Sequence, residues 1–231
     1  MRIIVAGDSW ACGEWGGRAD PEGYRVLHPG TAQYLREAGH RVISVAYGGS
    51  SNRAQVDRVR PDQVRGIDRI IWFLTDPCRD IPETDIARTL PEYLAQRDLL
   101  LRQQFDRVRH LPITLIGGNS AVPAWVADEY PGFVTLVADL RCWLLQGQEP
   151  CETMCRQWRY PDCDLDLLTH WESEERRVEQ HLAHALIPGR AEREWFWPDG
   201  RHPNRAAHLR LTEELILPLL AAEQATDQQS V

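Results

Sequence analysis

Short apolar runs recur along the chain, and most of them are followed by glycine or by small polar residues. The first run extends from Ile3 to Ala6 and stops at Gly7. Runs of about five apolar residues are typical of strands that are buried on both faces of a parallel sheet. We predict five such strands, near residues 2–6, 42–46, 70–74, 113–116 and 133–137.

Between these runs, apolar residues recur at the spacing of amphipathic helices. The predicted helices cover residues 31–38, 53–59, 91–109, 138–145 and 205–222, and the polar residues after Glu223 are expected to fray. Strands that alternate with helices predict an α/β protein, a three-layer α/β/α sandwich with a five-stranded parallel sheet of the flavodoxin-like kind. The length of 231 residues suits a single domain.

Two stretches lack this periodicity. Residues 11–27 are rich in glycine and are predicted to form a loop over the edge of the sheet, where Trp10 and Trp15 either line a site or belong to the core. Residues 146–197 are interpreted as an insertion within the single domain, covering the site or meeting a partner.

Three cysteines in the insertion, Cys151, Cys155 and Cys163, are spaced C-x3-C-x7-C. They are interpreted as reduced, packed thiols. A zinc site and a disulfide stay open as alternatives, although zinc sites are usually built from paired C-x2-C ligands, which this chain lacks.

Composition narrows the function classes. Lys plus Arg number 26 against 34 Asp plus Glu, so the net charge is −8 and no basic run favours nucleic acid or an anionic membrane. No apolar run approaches the roughly 18 residues of a membrane span. The first strand begins at Arg2, which leaves no room for a signal peptide, so a cytoplasmic location is expected.

Known cofactor signatures are also missing. The chain has neither the G-x-G-x-x-G turn of dinucleotide-binding proteins nor a phosphate-binding loop, and no cofactor or metal is expected. The G-x-S-x-G elbow of ordinary α/β-hydrolases is missing as well.

A set of polar residues points instead to serine chemistry. Ser9 follows the first strand, at the sheet edge where ligands bind in open α/β folds. A serine at this place more often only caps a helix. However, Asp199 and His202 form an Asp-x-x-His segment just before the last helix, and a serine nucleophile needs such a base with an orienting carboxylate.

Gly7-Asp8-Ser9, the Gly48-Gly49-Ser50 turn after the second strand and the Asp199…His202 segment together resemble the SGNH hydrolases, also called GDSL esterases. The resemblance spans nearly the whole chain. It implies a serine ester hydrolase acting on a small-molecule or carbohydrate ester, including O-acetyl groups, with Ser9 as nucleophile. It also implies that the Gly49 N–H belongs to the oxyanion hole, although a tight turn explains these glycines equally well.

The resemblance fails at the third block, where the family has Gly-x-Asn-Asp and this chain has Thr75-Asp76. The missing asparagine would be a third oxyanion donor. Thr75 could donate a hydroxyl hydrogen bond instead, or Asp76 and Arg79 could shape the site. Asn119 after the fourth strand is another substitute. We favour Asn119 because Gly117 and Gly118 leave room beside it, although an asparagine in a turn often bonds only its own backbone. The loss also keeps open an alternative, a catalytically degenerate relative that only binds.

Overall fold

The computed structural model describes residues 1–15, 26–82, 85, 89–144, 195 and 202–229. Its strands are β1 (Arg2–Ala6), β2 (Glu14–Trp15), β3 (Val26–His28), β4 (Arg41–Ser44), β5 (Arg69–Leu74), β6 (Ile113–Gly117) and β7 (Val134–Val137). Five of them form one parallel sheet in the order β4-β1-β5-β6-β7, and β2 pairs antiparallel with β3. The predicted fold class is confirmed.

The helices are α1 (Ser9–Cys12), α2 (Gly30–Glu37), α3 (Asn52–Arg58), α4 (Pro61–Val64), α5 (Leu90–Val108), α6 (Val126–Glu129), α7 (Leu140–Leu144), α8 (Arg205–Leu211) and α9 (Leu217–Gln229). A π-helical turn, Thr212–Ile216, joins α8 to α9, and a 3-10 turn, Pro77–Asp80, follows β5. None of the helices in these ranges is long and apolar enough to cross a membrane.

Two sequence predictions are wrong at the level of local structure. The chain after Glu223 does not fray but stays helical to Gln229, because its alanine and three glutamines are good helix formers and no glycine or proline interrupts the helix. The predicted loop at 11–27 begins with the end of α1 and contains β2 and β3, since a short antiparallel pairing needs little apolar periodicity. Residues 16–25 lie outside the described residues, and so does the predicted insertion at 146–197 apart from residue 195. Its cysteines Cys151, Cys155 and Cys163 are therefore also outside them.

The alternation of side chains along each strand creates two cores. Ile3 and Val5 face the layer formed by α1, α2, α7 and α8, whereas Ile4 and Ala6 face the layer formed by α3, α5 and α6. Trp10 is 2% exposed within the first core, so it is a core residue and not a wall of a site.

His208 in α8 is a fully buried histidine within the same first layer. Its Nδ1 lies 3.0 Å from the Thr31 hydroxyl in α2, and a Cβ on Gly30 would approach the ring within 2.7 Å. Burial, with a smaller contribution from the charge of His28, lowers the pKa of His208 to about 3.

This burial predicts a loss of stability in mild acid. Unfolded histidine has a pKa of about 6.5, so between that value and about 3 only the unfolded state binds the proton. The free energy of unfolding should therefore fall as the pH falls below about 6.5, by about 1.4 kcal/mol per pH unit for this group. Urea unfolding at pH 7 and pH 5.5 measures the effect.

The matched variants are His208→Gln and His110→Gln, because His110 is exposed. His208→Gln should lose about 1 kcal/mol less than the wild type between the two pH values. His110→Gln should behave like the wild type. Equal losses in all three proteins would show that His208 is not the titrating group.

Candidate active site

Ser9 stands at the carboxyl end of β1 because the chain turns there into α1. Gly7 has φ +153°, and a Cβ on it would lie 2.4 Å from the Ala11 Cβ, so the turn requires glycine. The Asp8 side chain then caps α1 by accepting a hydrogen bond from the Trp10 N–H at 2.9 Å. Ser9 is the first residue of this helix.

The structure brings Ser9 and His202 together from opposite ends of the chain. His202 Nε2 lies 2.9 Å from Ser9 Oγ. This is hydrogen-bond distance, and a neutral imidazole that accepts the serine proton has the arrangement of a general base. Asp199 lies outside the described residues, so its place beside His202 stays a prediction.

The backbone near His202 is fixed by contacts on its C-terminal side. The Asn204 side chain caps α8 by accepting a hydrogen bond from the Ala207 N–H at 3.0 Å. The next residue, Arg205, donates to the Glu14 carboxylate from Nε at 2.9 Å, from Nη2 at 3.0 Å and from its backbone N–H at 2.9 Å. β2 is thereby tied to the start of the helix that follows His202.

Glu14 is accordingly a carboxylate that anchors this helix. Although burial by itself raises the pKa of Glu14, the hydrogen bonds and charge of Arg205 outweigh it, and the pKa lies below its ordinary value. Glu14 therefore stays ionised at neutral pH.

The glycine turn lies beside Ser9 because the chain after β4 continues along β1. The Val45 N–H donates to the Val5 carbonyl at 2.9 Å, and the Tyr47 N–H donates to the Gly7 carbonyl at 3.1 Å. The turn closes when the Ser50 N–H donates to the Tyr47 carbonyl at 3.1 Å, with Gly49 at φ +73°. Within the described chain no group accepts a hydrogen bond from the Gly49 N–H.

A buried carboxylate joins the ends of β1 and β5. Asp8 is fully buried, and its Oδ2 accepts hydrogen bonds from the Thr75 hydroxyl at 2.6 Å and from Arg79 Nη1 at 2.9 Å. The Thr75 hydroxyl therefore donates to Asp8, and its side chain is buried. Thr75 thus holds Asp8 in place. Its hydroxyl proton is taken by Asp8, so this contact does not favour its predicted role as an oxyanion donor.

Asn52 is a structural residue that sequence analysis did not single out. The neighbouring Ser51 caps α3 by accepting a hydrogen bond from the Ala54 N–H at 3.2 Å. Asn52 is fully buried, donates to the Thr75 carbonyl at 2.7 Å and accepts from the Thr75 N–H at 3.1 Å. This double hydrogen bond fixes the end of β5 against the glycine turn.

Asn119 follows β6, but the two glycines before it serve backbone packing. A Cβ on Gly117 would lie 1.8 Å from the Ala138 carbonyl oxygen, and one on Gly118 would lie 2.9 Å from the Leu74 carbonyl oxygen. Asn119 itself is partly exposed and is not among the described residues that line the cavity at Ser9. Its role as an oxyanion donor stays a prediction.

A cavity of about 660 Å³ opens at the Ser9–His202 pair. Its described lining consists of Ser9, Cys12, Val26, Ala46, Tyr47, Gly48, Gly49, Arg79 and His202. Burial, and then the charge of Asp8, raises the pKa of Cys12 to about 12, so this thiol is neutral and is not a competing nucleophile. In the described ranges, no three His, Cys, Asp or Glu side chains are grouped so as to hold a metal ion.

Comparison with solved structures finds similar arrangements of the chain among lipases. The lipase/acylhydrolase from Enterococcus faecalis is 14% identical over 93% of this chain and 96% of its own, with a TM-score of 0.41. The extracellular lipase from Streptomyces rimosus is 14% identical over 96% and 98%, with a TM-score of 0.44. LAE5, an alpha/beta hydrolase from the metagenome of Lake Arreo, Spain, is 15% identical over 91% of both chains, with a TM-score of 0.44.

No protein-family model matches the chain, and no curated protein matches it. Structural likeness at this level carries no argument about a reaction. The reaction therefore has to be inferred from the side chains at the cavity.

Removing the Asn52 side chain should destabilise the protein. Asn52→Ala leaves the buried N–H and carbonyl of Thr75 without these partners, and each unsatisfied group costs about 1–3 kcal/mol. We expect the free energy of unfolding in urea to fall by about 3 kcal/mol. Asn119→Ala makes the same chemical change at a partly exposed site and should have little effect. Equal stability of the two variants would contradict the structural role of Asn52.

Proposed function

We propose that this protein is a serine hydrolase that cleaves esters through an acyl-enzyme, with Ser9 as nucleophile and His202 as general base. The observation that carries the proposal is the 2.9 Å separation between Ser9 Oγ and His202 Nε2 at the wall of a cavity. A serine hydroxyl needs an adjacent base to act as a nucleophile at neutral pH, and this pair supplies one.

In the first half of the reaction, Ser9 Oγ attacks the ester carbonyl carbon while its proton passes to His202 Nε2. The carbonyl π electrons move to the oxygen, which becomes an oxyanion that accepts hydrogen bonds from the backbone N–H groups of Ser9 and Gly49. Collapse of this intermediate breaks the bond to the alcohol oxygen, and His202 returns the proton to that leaving group.

The acyl-enzyme is hydrolysed by the same steps, with water as the nucleophile and Ser9 Oγ as the leaving group. His202 takes a proton from the water, whose oxygen attacks the acyl carbon and displaces Ser9 Oγ. The Ser9 oxygen recovers the proton from His202, and the carboxylic acid leaves and ionises. We assign to Asp199 the orientation of the His202 ring and the stabilisation of the imidazolium, because the two residues form a short Asp-x-x-His segment.

The cavity favours a small ester. Its volume of about 660 Å³ lies within the range of small-molecule sites, and Val26, Ala46 and Tyr47 give it apolar walls. We therefore propose a small-molecule or carbohydrate ester, such as an O-acetyl group, as the substrate.

The alternative is a related protein that binds without catalysis. The observation in its favour is the missing asparagine after β5, since loss of one oxyanion donor costs about 10²–10³ in kcat. Labelling with a fluorophosphonate, which reacts with an activated serine, discriminates between the two functions.

Ser9→Ala should abolish the hydrolysis of 4-nitrophenyl acetate, with a loss of about 10⁶ in kcat. His202→Ala should lose about as much, and the double variant should lose no more, because the two residues act as one unit. The measurements are initial rates and the mass of the fluorophosphonate adduct, which should map to Ser9. Ser44→Ala, at an exposed serine of β4, is the control and should match the wild type.

Unlabelled wild type, or Ser9→Ala with wild-type rates, would contradict the hydrolase proposal. Labelling at a different serine would show that this other serine, and not Ser9, is the nucleophile.

Asp199→Asn should leave more activity than His202→Ala. His202 stays in reach of Ser9, but its productive tautomer and its positive charge are no longer stabilised. The same change in a serine protease lowered kcat by about 10⁴. Comparing kcat for the two variants on 4-nitrophenyl acetate measures this difference. Wild-type kcat in Asp199→Asn would exclude Asp199 from the catalytic machinery.

A further inference from the structure

We propose that the guanidinium of Arg79 is the third oxyanion donor of this site. The inference rests on the proposed hydrolase function and names a catalytic residue that replaces the asparagine amide. Three features of Arg79 support it: its position at the cavity, the rigid turn that carries it, and its single hydrogen bond to Asp8 among the described residues.

Arg79 lies at the same cavity as the reacting pair. It lines the cavity together with Ser9, His202 and Gly49. It reaches this place from the end of β5, the strand that pairs directly with β1. An ester carbonyl carbon in contact with Ser9 Oγ therefore lies in a cavity that has the guanidinium in its wall.

The turn that carries Arg79 is rigid. Asp76 begins it by accepting a hydrogen bond from the Cys78 N–H at 2.8 Å, and Pro77 fixes its first φ angle. At its end, the Asp80 carboxylate accepts from the Arg53 N–H at 3.1 and 3.2 Å, which ties the turn to α3. A donor on such a turn is positioned before the reaction begins, as oxyanion stabilisation requires.

Asp8 holds the guanidinium by one nitrogen and leaves the others available. Arg79 Nη1 donates to Asp8 Oδ2 at 2.9 Å. A guanidinium has five N–H groups in a planar fork, and no other described group accepts one from Arg79. The Arg79 side chain is 23% exposed and lines the cavity, so we infer that the remaining donors are available to a ligand there.

The charge balance favours an oxyanion over a fully charged ligand. Asp8 is buried and already neutralises the guanidinium, so the pair offers oriented N–H groups with little net charge. Such a group interacts modestly with a neutral ester carbonyl and more strongly with the negative oxygen of the tetrahedral intermediate. This difference between ground state and transition state is what raises kcat.

The test measures kcat and KM of the full chain on two substrates, neutral 4-nitrophenyl acetate and the negatively charged 4-nitrophenyl hemisuccinate. Arg79→Ala should lower kcat by about 10²–10³ on both, with KM little changed. Millimolar guanidinium chloride should restore part of the kcat of Arg79→Ala, because the free ion can occupy the vacated place. A merely structural role of Arg79 would lower the free energy of unfolding and would leave kcat of the folded protein unchanged.

Two further variants keep the test decisive. Arg79→Lys retains the charge beside Asp8 and protects folding, but an ammonium lacks the fork that bonds Asp8 and the oxyanion together, so kcat should still fall at least tenfold. Arg41→Ala removes an exposed arginine at the opposite end of the sheet and should leave the rates unchanged.

The outcomes separate this inference from the proposed function. If Ser9→Ala is as active as the wild type, the hydrolase proposal fails. If activity requires Ser9 but Arg79→Ala keeps its kcat on the acetate, only the role of Arg79 is overturned. A rise in KM confined to the hemisuccinate would make Arg79 an anchor for anionic substrates. A loss in Asn119→Ala with none in Arg79→Ala would place the donor after β6.

Discussion

The burial of one carboxylate, Asp8, is the constraint on which the candidate site depends. A fully buried charge without partners costs several kcal/mol, so the fold has to bring partners to it. They come from three places: the Trp10 N–H within α1, the Thr75 hydroxyl at the end of β5 and the Arg79 guanidinium on the following turn. Because the Asp8 carboxylate needs these hydrogen bonds, the ends of β1 and β5 are held together directly beside Ser9.

The same region is closed on its other side by neutral hydrogen bonds. Asn52 holds the Thr75 peptide against the glycine turn, and the Tyr47 N–H pairs with the Gly7 carbonyl. The ends of β4, β1 and β5 thus become one rigid unit around Ser9. His202 joins this unit from a separate segment, and the Glu14–Arg205 ion pair fixes the helix that follows it.

The sheet and the pairing of Ser9 with His202 could be predicted from the sequence because they depend on strong local signals. Short apolar runs, most of them followed by glycine or small polar residues, predicted the five strands, and the order of Gly7-Asp8-Ser9 and His202 along the chain indicated their pairing. The supporting network could not be predicted in this way, since it depends on which polar side chains face inward. No local signal in the sequence indicates that Asn52 contacts Thr75 or that Arg79, which was expected to shape the site, contacts Asp8. Both contacts depend on where the end of β5 lies beside β1.

The ambiguity about the missing asparagine has the same physical origin. From the chain alone, Asn119 and Thr75 are both candidates because of their residue types and their places after strands, and Asn119 is favoured because Gly117 and Gly118 leave room beside it. The distances instead show the Thr75 hydroxyl bonded to Asp8 and show Gly117 and Gly118 taken up by backbone contacts. A donor is defined by the direction of its N–H or O–H group, and residue type does not encode that direction.

Pairing Arg79 with Asp8 also answers an objection to using a cation in an oxyanion hole. The acid product of ester hydrolysis is a carboxylate, and an uncompensated arginine would bind that anion and slow its release. With Asp8 bonded to Nη1, the guanidinium keeps its oriented donors while its charge is offset by a neighbour that never leaves. The donors then stabilise the oxyanion, which lies within hydrogen-bond distance in the intermediate, more strongly than they stabilise the carboxylate product. An amide has no such charge to offset, so an arginine in the proposed oxyanion hole is chemically reasonable only together with the buried carboxylate.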